Sequence, residues 1–93
     1  MRVFKYTIPV DDQWHELSLP VGAHVMHVAS QYKNIREVMM WVYLNDNRQL
    51  AHFTRVFRVY GTGHEIPERC KPVGSCIVAE GHLVWHVMEK QNA

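Results

Sequence analysis

Apolar and polar side chains alternate along most of the chain, and this alternation predicts β-strands. Between Phe4 and Val10 every second residue is apolar, which is the period of a half-buried strand. The acidic pair Asp11–Asp12 favours a turn, and the alternation resumes between Trp14 and Leu19. These two segments are therefore predicted to form a first hairpin.

Five further segments are rich in strand-forming residues and are separated by turn signals. Asn45–Asn47 and Gly61–Gly63 favour turns because Asn and Gly tolerate positive φ. A closing hairpin is predicted to turn at Gly81–His82, and residues 64–74 are predicted to form a loop. Residues 34–37 support one short turn at most, and no segment has sustained helical periodicity. The predicted strands are 4–10, 14–19, 23–31, 38–44, 50–60, 75–80 and 83–89.

These elements predict an all-β fold: a small sandwich or barrel of about seven mainly antiparallel strands. A length of 93 residues leaves room for one core, so residues 1–93 are predicted to form a single domain. Several strands are apolar on both faces, which is more than one small core absorbs. The surplus is expected to line a ligand cleft or a subunit interface, unless loops cover it. It consists of Met39, Trp41 and Tyr43, together with Val84 and Met88.

Composition narrows the classes of function. A formal net charge of +1 argues against bulk nucleic-acid binding, which requires a strongly basic surface. The first residues lack the apolar core of a signal peptide, and no apolar run approaches the ~18 residues of a membrane span. A cytoplasmic protein without a membrane partner is expected. Homo-oligomerisation is also expected, because it stabilises small β domains and covers their edge strands.

Histidines and cysteines give little support for a metal site, and none is predicted. The chain has seven histidines, but His24 and His27 fall on opposite faces of one predicted strand. His82 and His86 share a face only at about 13 Å separation, too far to ligate one ion. Cys70 and Cys76 lack CxxC spacing and are expected to be reduced thiols, with a disulfide as the alternative. A metal site would have to gather His64 and both cysteines from loops.

Catalysis is weakly supported, and neither enzyme activity nor a cofactor is predicted. The sequence contains no GxSxG or HExxH motif. A pair formed by Cys76 and His86 across the closing hairpin is conceivable, but a thiol that lines a core is usually inert. The paired acids Asp11 and Asp12 lie in a predicted turn, where carboxylates cap backbone groups.

The densest candidate for a binding site is the end of the fifth strand with the glycine corner after it. Two glycines around Thr62 can present backbone N–H groups to an anion. Arg58 and Tyr60 alternate onto one face beside that corner, and arginine binds phosphate or carboxylate in a bidentate manner. Trp41 or Trp85 would stack on a flat base. The alternative is that the glycines only turn the chain and the arginines only solvate a strand. The candidate ligand-binding residues are Arg55, Arg58, Tyr60, Thr62, Gly63, His64, Trp85 and His86.

Three blocks of the sequence resemble a family of short uncharacterised proteins of phages and bacteria. They are VFKY from Val3, FRVYGTGHEIP from Phe57 and LVWHVME from Leu83, and together they span nearly the whole chain. The central block is the most specific, whereas residues 32–37 and 69–71 match no block. The resemblance implies an origin and a fold for this chain, but it implies no mechanism, because no activity is established for the family. Small phage β proteins are commonly accessory factors that bind and block a target. In size and implied origin the chain is similar to those that sequester host immune signalling nucleotides between subunits.

The leading hypothesis is a non-enzymatic binding module for an anionic small molecule such as a signalling nucleotide, encoded by a phage and acting in the host cytoplasm as a counter-defence sponge. The first alternative is a protein–protein module, either an inhibitor of a host protein or a minor phage structural component. The second alternative is a small metal-binding or catalytic domain.

Overall fold

A computed structural model describes residues 1–31, 35–78 and 81–91 of the chain. These residues contain no α-helix, so none of them forms a helix that could cross a membrane. Seven strands are present: β1 (Arg2–Pro9), β2 (His15–Pro20), β3 (His24–Ala29), β4 (Glu37–Leu44), β5 (His52–Gly61), β6 (Cys70–Val78) and β7 (Leu83–Lys90). The all-β prediction is confirmed.

The strands form two antiparallel sheets, so the fold is a sandwich and not a closed barrel. One sheet has three strands in the order β1-β4-β3, and the other has four in the order β2-β5-β7-β6. Each inner face supplies the core, in which Leu19, Met40 and Phe57 are fully buried. Burying a side chain of this size stabilises the fold by about 1.5–3 kcal/mol. The faces predicted for the fourth strand are confirmed, because Val38, Met40, Val42 and Leu44 all belong to this core.

The prediction of a first hairpin is wrong, because β1 pairs with β4 whereas β2 pairs with β5 in the other sheet. Val10 N donates to Arg36 O at 2.8 Å, so the chain stays on β4 beyond the end of β1. Asp12 then adopts a φ of 59°, and the chain crosses to the second sheet. Alternation along a strand fixes its two faces, but it does not fix its partner.

The sixth strand begins earlier than predicted. It starts at Cys70, so the predicted loop of residues 64–74 is shorter by half, and residues 79–80 lie outside the described part of the chain. β6 is an edge strand, where Pro72 does not need to donate to a neighbour, and its register with β7 shifts between Pro72 and Gly74. The closing hairpin of β6 and β7 is confirmed. Of the predicted turn, Asn34 is outside the described residues and Glu37 opens β4.

Close approach of the two sheets depends on Gly74. A Cβ atom at this position would lie 2.8 Å from Val28 Cγ2 on β3. The glycine therefore lets β6 pack directly on β3.

On the outer face of the three-stranded sheet, Met39 is buried, and the His27 ring lies 5.6 Å from that of Trp41. Neighbouring strands therefore cover part of the predicted apolar surplus, while Tyr43 remains exposed.

Candidate functional site

The outer face of the four-stranded sheet carries most of the predicted site. Register pairs Tyr60 with His86 and Arg58 with Met88, and directly paired residues share a face. Their neighbours Phe57, Val59 and Val87 point into the core. The predicted placement of Arg58 and Tyr60 on a common face is therefore confirmed.

A tight turn follows β5 and shapes one edge of this face. His64 N donates to Gly61 O at 3.2 Å, and Gly63 has a φ of 85°, as the third residue of a type II turn requires. A Cβ on Gly61 would lie 3.0 Å from Cε1 of His64, so the imidazole packs directly on this glycine. The two glycines thus fix both the path of the turn and the position of His64.

His86 binds two hydroxyl groups, one through each ring nitrogen. Nε2 lies 2.8 Å from Thr62 Oγ1 in the turn, and Nδ1 lies 2.7 Å from Ser75 Oγ on β6. These contacts join the turn, β7 and β6 across the outer face. Sequence reasoning missed Ser75, although the predicted closing hairpin brings it to the strand that carries His86.

A cleft of about 350 Å³ lies against this group. It is mostly apolar with a few convergent polar side chains, which is the usual character of a small-molecule site. The residues other than glycine that line it are Thr62, His64, Ile66, Pro72, Ser75, His86, Val87 and Met88, so the described lining contains no Arg, Lys, Asp or Glu. A second hollow of about 460 Å³ lies beside Thr62 and His64 and is also lined by His82 and Trp85.

Arg58 and Tyr60 lie outside the cleft, in a cluster of aromatic and cationic side chains. The Arg58 guanidinium lies 4.8 Å from the centroid of Tyr60 and 5.9 Å from that of Trp14. Lys90 Nζ lies 5.6 Å from the same indole ring. Burial raises the pKa of the Tyr60 hydroxyl, although the charge of Arg58 opposes this shift. The carboxylate of Asp12 reaches Arg58 at 4.0 Å, which is a weak ion pair.

Arg55 and Trp85 lie on the inner side of the same sheet and belong neither to the lining of the first cleft nor to the cluster. Arg55 donates to both carboxylate oxygens of Glu89, at 2.6 and 2.7 Å, and to Ala23 O at 2.8 Å. The hydrogen bond to Glu89 raises the pKa of the Arg55 guanidinium, so this group stays charged. Trp85 packs against the core and donates to Ile35 O at 3.0 Å. The predicted set therefore divides into three groups, and only Thr62, Gly63, His64 and His86 line the cleft.

The cysteine alternatives receive no geometric support. Cys76 pairs with Trp85 on the inner face, whereas His86 points outward, so the pair considered for catalysis does not form. Burial raises the pKa of the Cys76 thiol, which disfavours the reactive thiolate. Both cysteines are free. In residues 1–31, 35–78 and 81–91, no three His, Cys, Asp or Glu side chains are placed to hold one metal ion.

Fold and site together define a small antiparallel β-sandwich with a cleft on one outer face, and hydrogen-bonded side chains line this cleft. A family model described as a domain of unknown function (DUF7352) matches residues 1–93, and the chain belongs to this family. No curated protein matches the sequence. No solved structure matches it either.

Proposed function

We propose that this protein is a non-enzymatic binding module that holds an anionic small molecule, such as a signalling nucleotide, in the cleft beside the Gly61–His64 turn. The observation that carries the proposal is the His86 ring, which fixes the hydroxyls of Thr62 and Ser75 at 2.8 and 2.7 Å beside an apolar lining. Hydroxyl and imidazole groups donate hydrogen bonds to oxyanions. Ile66, Pro72 and Met88 supply apolar contact to the rest of a ligand.

The proposal includes a phage origin and an accessory role in the host cytoplasm, and both rest on the resemblance of the central sequence block. It also includes a homo-oligomer. Arg58 belongs to the cluster beside the cleft and would contact only a ligand that extends beyond it, since its guanidinium stacks on Tyr60. We therefore assign the ligand's anionic group to the cleft and not to Arg58.

Calorimetric titration with inorganic phosphate, cyclic AMP and other nucleotides tests the proposal. The double variant Thr62→Val, Ser75→Ala is expected to weaken binding about 25-fold, because two hydrogen-bond donors are lost. Ser18→Ala with Thr54→Val is the matched control, since these paired residues are exposed on the same sheet. If none of these compounds bound, the proposal would be excluded. If both double variants lost the same affinity, the cleft would be excluded as the binding site.

A protein–protein module is the second candidate, and exposed apolar side chains on the three-stranded sheet favour it. Val3 and Tyr43 are paired across β1 and β4 and are 48% and 43% exposed. This function predicts that a host protein is retained by the wild type and lost on Tyr43→Ser. The Thr62→Val, Ser75→Ala variant would retain it. The opposite pattern would assign retention to the cleft instead.

A further inference from the structure

The cleft lacks a permanent positive charge. Arg, Lys, Asp and Glu are all absent from its described lining, which leaves His64 and His86 as the side chains there that can become cationic near neutral pH. Burying an anion against neutral groups alone is costly. A histidine that takes up a proton when the ligand binds offsets this cost.

The two hydroxyl contacts of His86 identify which histidine. A neutral imidazole has one N–H donor and one acceptor nitrogen, so one of its two hydroxyl partners must donate its proton to the ring. That hydroxyl is then unable to donate to a ligand. A protonated ring donates through both nitrogens, at 2.8 Å to Thr62 and at 2.7 Å to Ser75, and frees both hydroxyl protons to point elsewhere. Protonation of His86 thus adds a positive charge and one hydrogen-bond donor.

We infer that the cleft binds a singly charged oxyanion, a phosphodiester or a carboxylate, together with one proton held by His86. This inference rests on the proposed function and adds the ligand's charge class and its coupling to pH. Because the complex holds one more proton than the free protein does at high pH, the affinity for the ligand falls as the pH rises. It predicts weaker binding in alkaline than in acidic solution.

The other titratable and charged groups near His86 do not supply the missing charge. β5 contributes Tyr60, directly opposite His86, and Arg58, which stacks on Tyr60. β6 contributes Ser75, and the turn contributes His64. Neither Glu65 nor Glu68, which follow the turn, is part of the cleft lining.

Calorimetry with cyclic AMP and dimethyl phosphate from about pH 5.5 to about pH 8.5 tests the inference, because each probe carries one charge that is constant over this range and histidine titrates within it. Ionic strength is held constant, and each titration is run in two buffers of different ionisation enthalpy. Affinity is expected to fall toward about tenfold per pH unit at the alkaline end of this range, with uptake approaching one proton per ligand.

His86→Asn keeps hydrogen-bonding capacity without the charge, and it is expected to bind weakly with no pH slope. His64→Asn and the distant His52→Asn are expected to keep the slope, and thermal denaturation checks that all three variants fold. Binding of wild type without a slope or proton uptake would overturn the inference and leave the proposed function intact. A slope that survives in His86→Asn and vanishes in His64→Asn would also overturn it. No binding of any probe at any pH would exclude the proposed function itself.

Discussion

Two arginines three residues apart on β5 have opposite environments. Arg55 lies on the inner side, where Glu89 and a backbone carbonyl accept hydrogen bonds from all three of its nitrogen atoms. Arg58 lies on the outer side, where its guanidinium stacks on aromatic rings and its buried Nε has no hydrogen-bond partner in the structure. A bidentate pair with a buried carboxylate is structural, so charge alone does not mark a ligand-binding arginine.

The largest expected effect concerns this pair. Arg55→Ala leaves the buried carboxylate of Glu89 without its main partner, and we expect the free energy of unfolding to fall by about 3 kcal/mol. Arg58→Ala removes only cation–π contacts and a weak ion pair, and about 1 kcal/mol is expected. Urea denaturation measures both. If Arg58→Ala destabilised the protein as much as Arg55→Ala, the contrast between the two faces would be wrong.

A second comparison sets two glycines against each other. Gly74→Ala forces a methyl group against the Val28 side chain at 2.8 Å, between two packed strands, and should lower the free energy of unfolding by about 2 kcal/mol. Gly61→Ala meets only the imidazole of His64, which can rotate away, so stability should change less while the cleft is disturbed. Denaturation combined with NMR spectra of the histidine rings separates the two effects. Equal destabilisation would contradict this account of the turn.

Arg58 also sharpens the boundary of the site. Because it lies outside the cleft lining, Arg58→Ala should change the affinity for cyclic AMP by less than about twofold, against about fivefold for Ser75→Ala, which loses one hydrogen bond. Calorimetry on the two single variants makes the comparison. A larger loss in Arg58→Ala would move the anion-binding group to the aromatic cluster.

The smallest expected effect is at the turn that carries the chain between the sheets. The hydrogen bond from the His15 ring at 2.8 Å lowers the pKa of Asp11 below its usual 3.8. This carboxylate therefore stabilises the fold above pH 3.8, and the contribution is lost as the pH falls through the lower folded value. Asp11→Asn should slightly lower the melting temperature near neutral pH, and the difference should vanish in strong acid. A difference that persists there would assign the effect to the backbone of the turn.

Much of the fold was predictable because alternation encodes which residues of a strand face the core. The faces of β4 and the shared face of Arg58 and Tyr60 follow from it directly. Strand partners did not follow, since the choice of β4 for β1 depends on contacts between residues 28 to 42 positions apart. The start of β6 was missed because a proline predicts a loop unless the strand is known to lie at an edge.

The site was predictable only in part, for a related reason. The turn at residues 61–64 is formed by neighbouring residues, so Gly61 and Gly63 predict it from the sequence alone. Ser75 joins His86 only through the register of β6 and β7, which a shift between Pro72 and Gly74 modifies. Arg55 was wrongly placed in the site because it is close to Arg58 in the sequence. Side chains alternate between the two faces of a strand, so two residues three positions apart lie on opposite faces.

The most direct test of the binding site is a titration of the isotope-labelled protein with cyclic AMP near pH 6, followed by amide and histidine-ring NMR. Saturable shifts concentrated at Thr62–His64, Ser75 and His86 are the result expected from the cleft. Shifts confined to Trp14, Arg58 and Lys90, or no shifts at millimolar ligand, would contradict it.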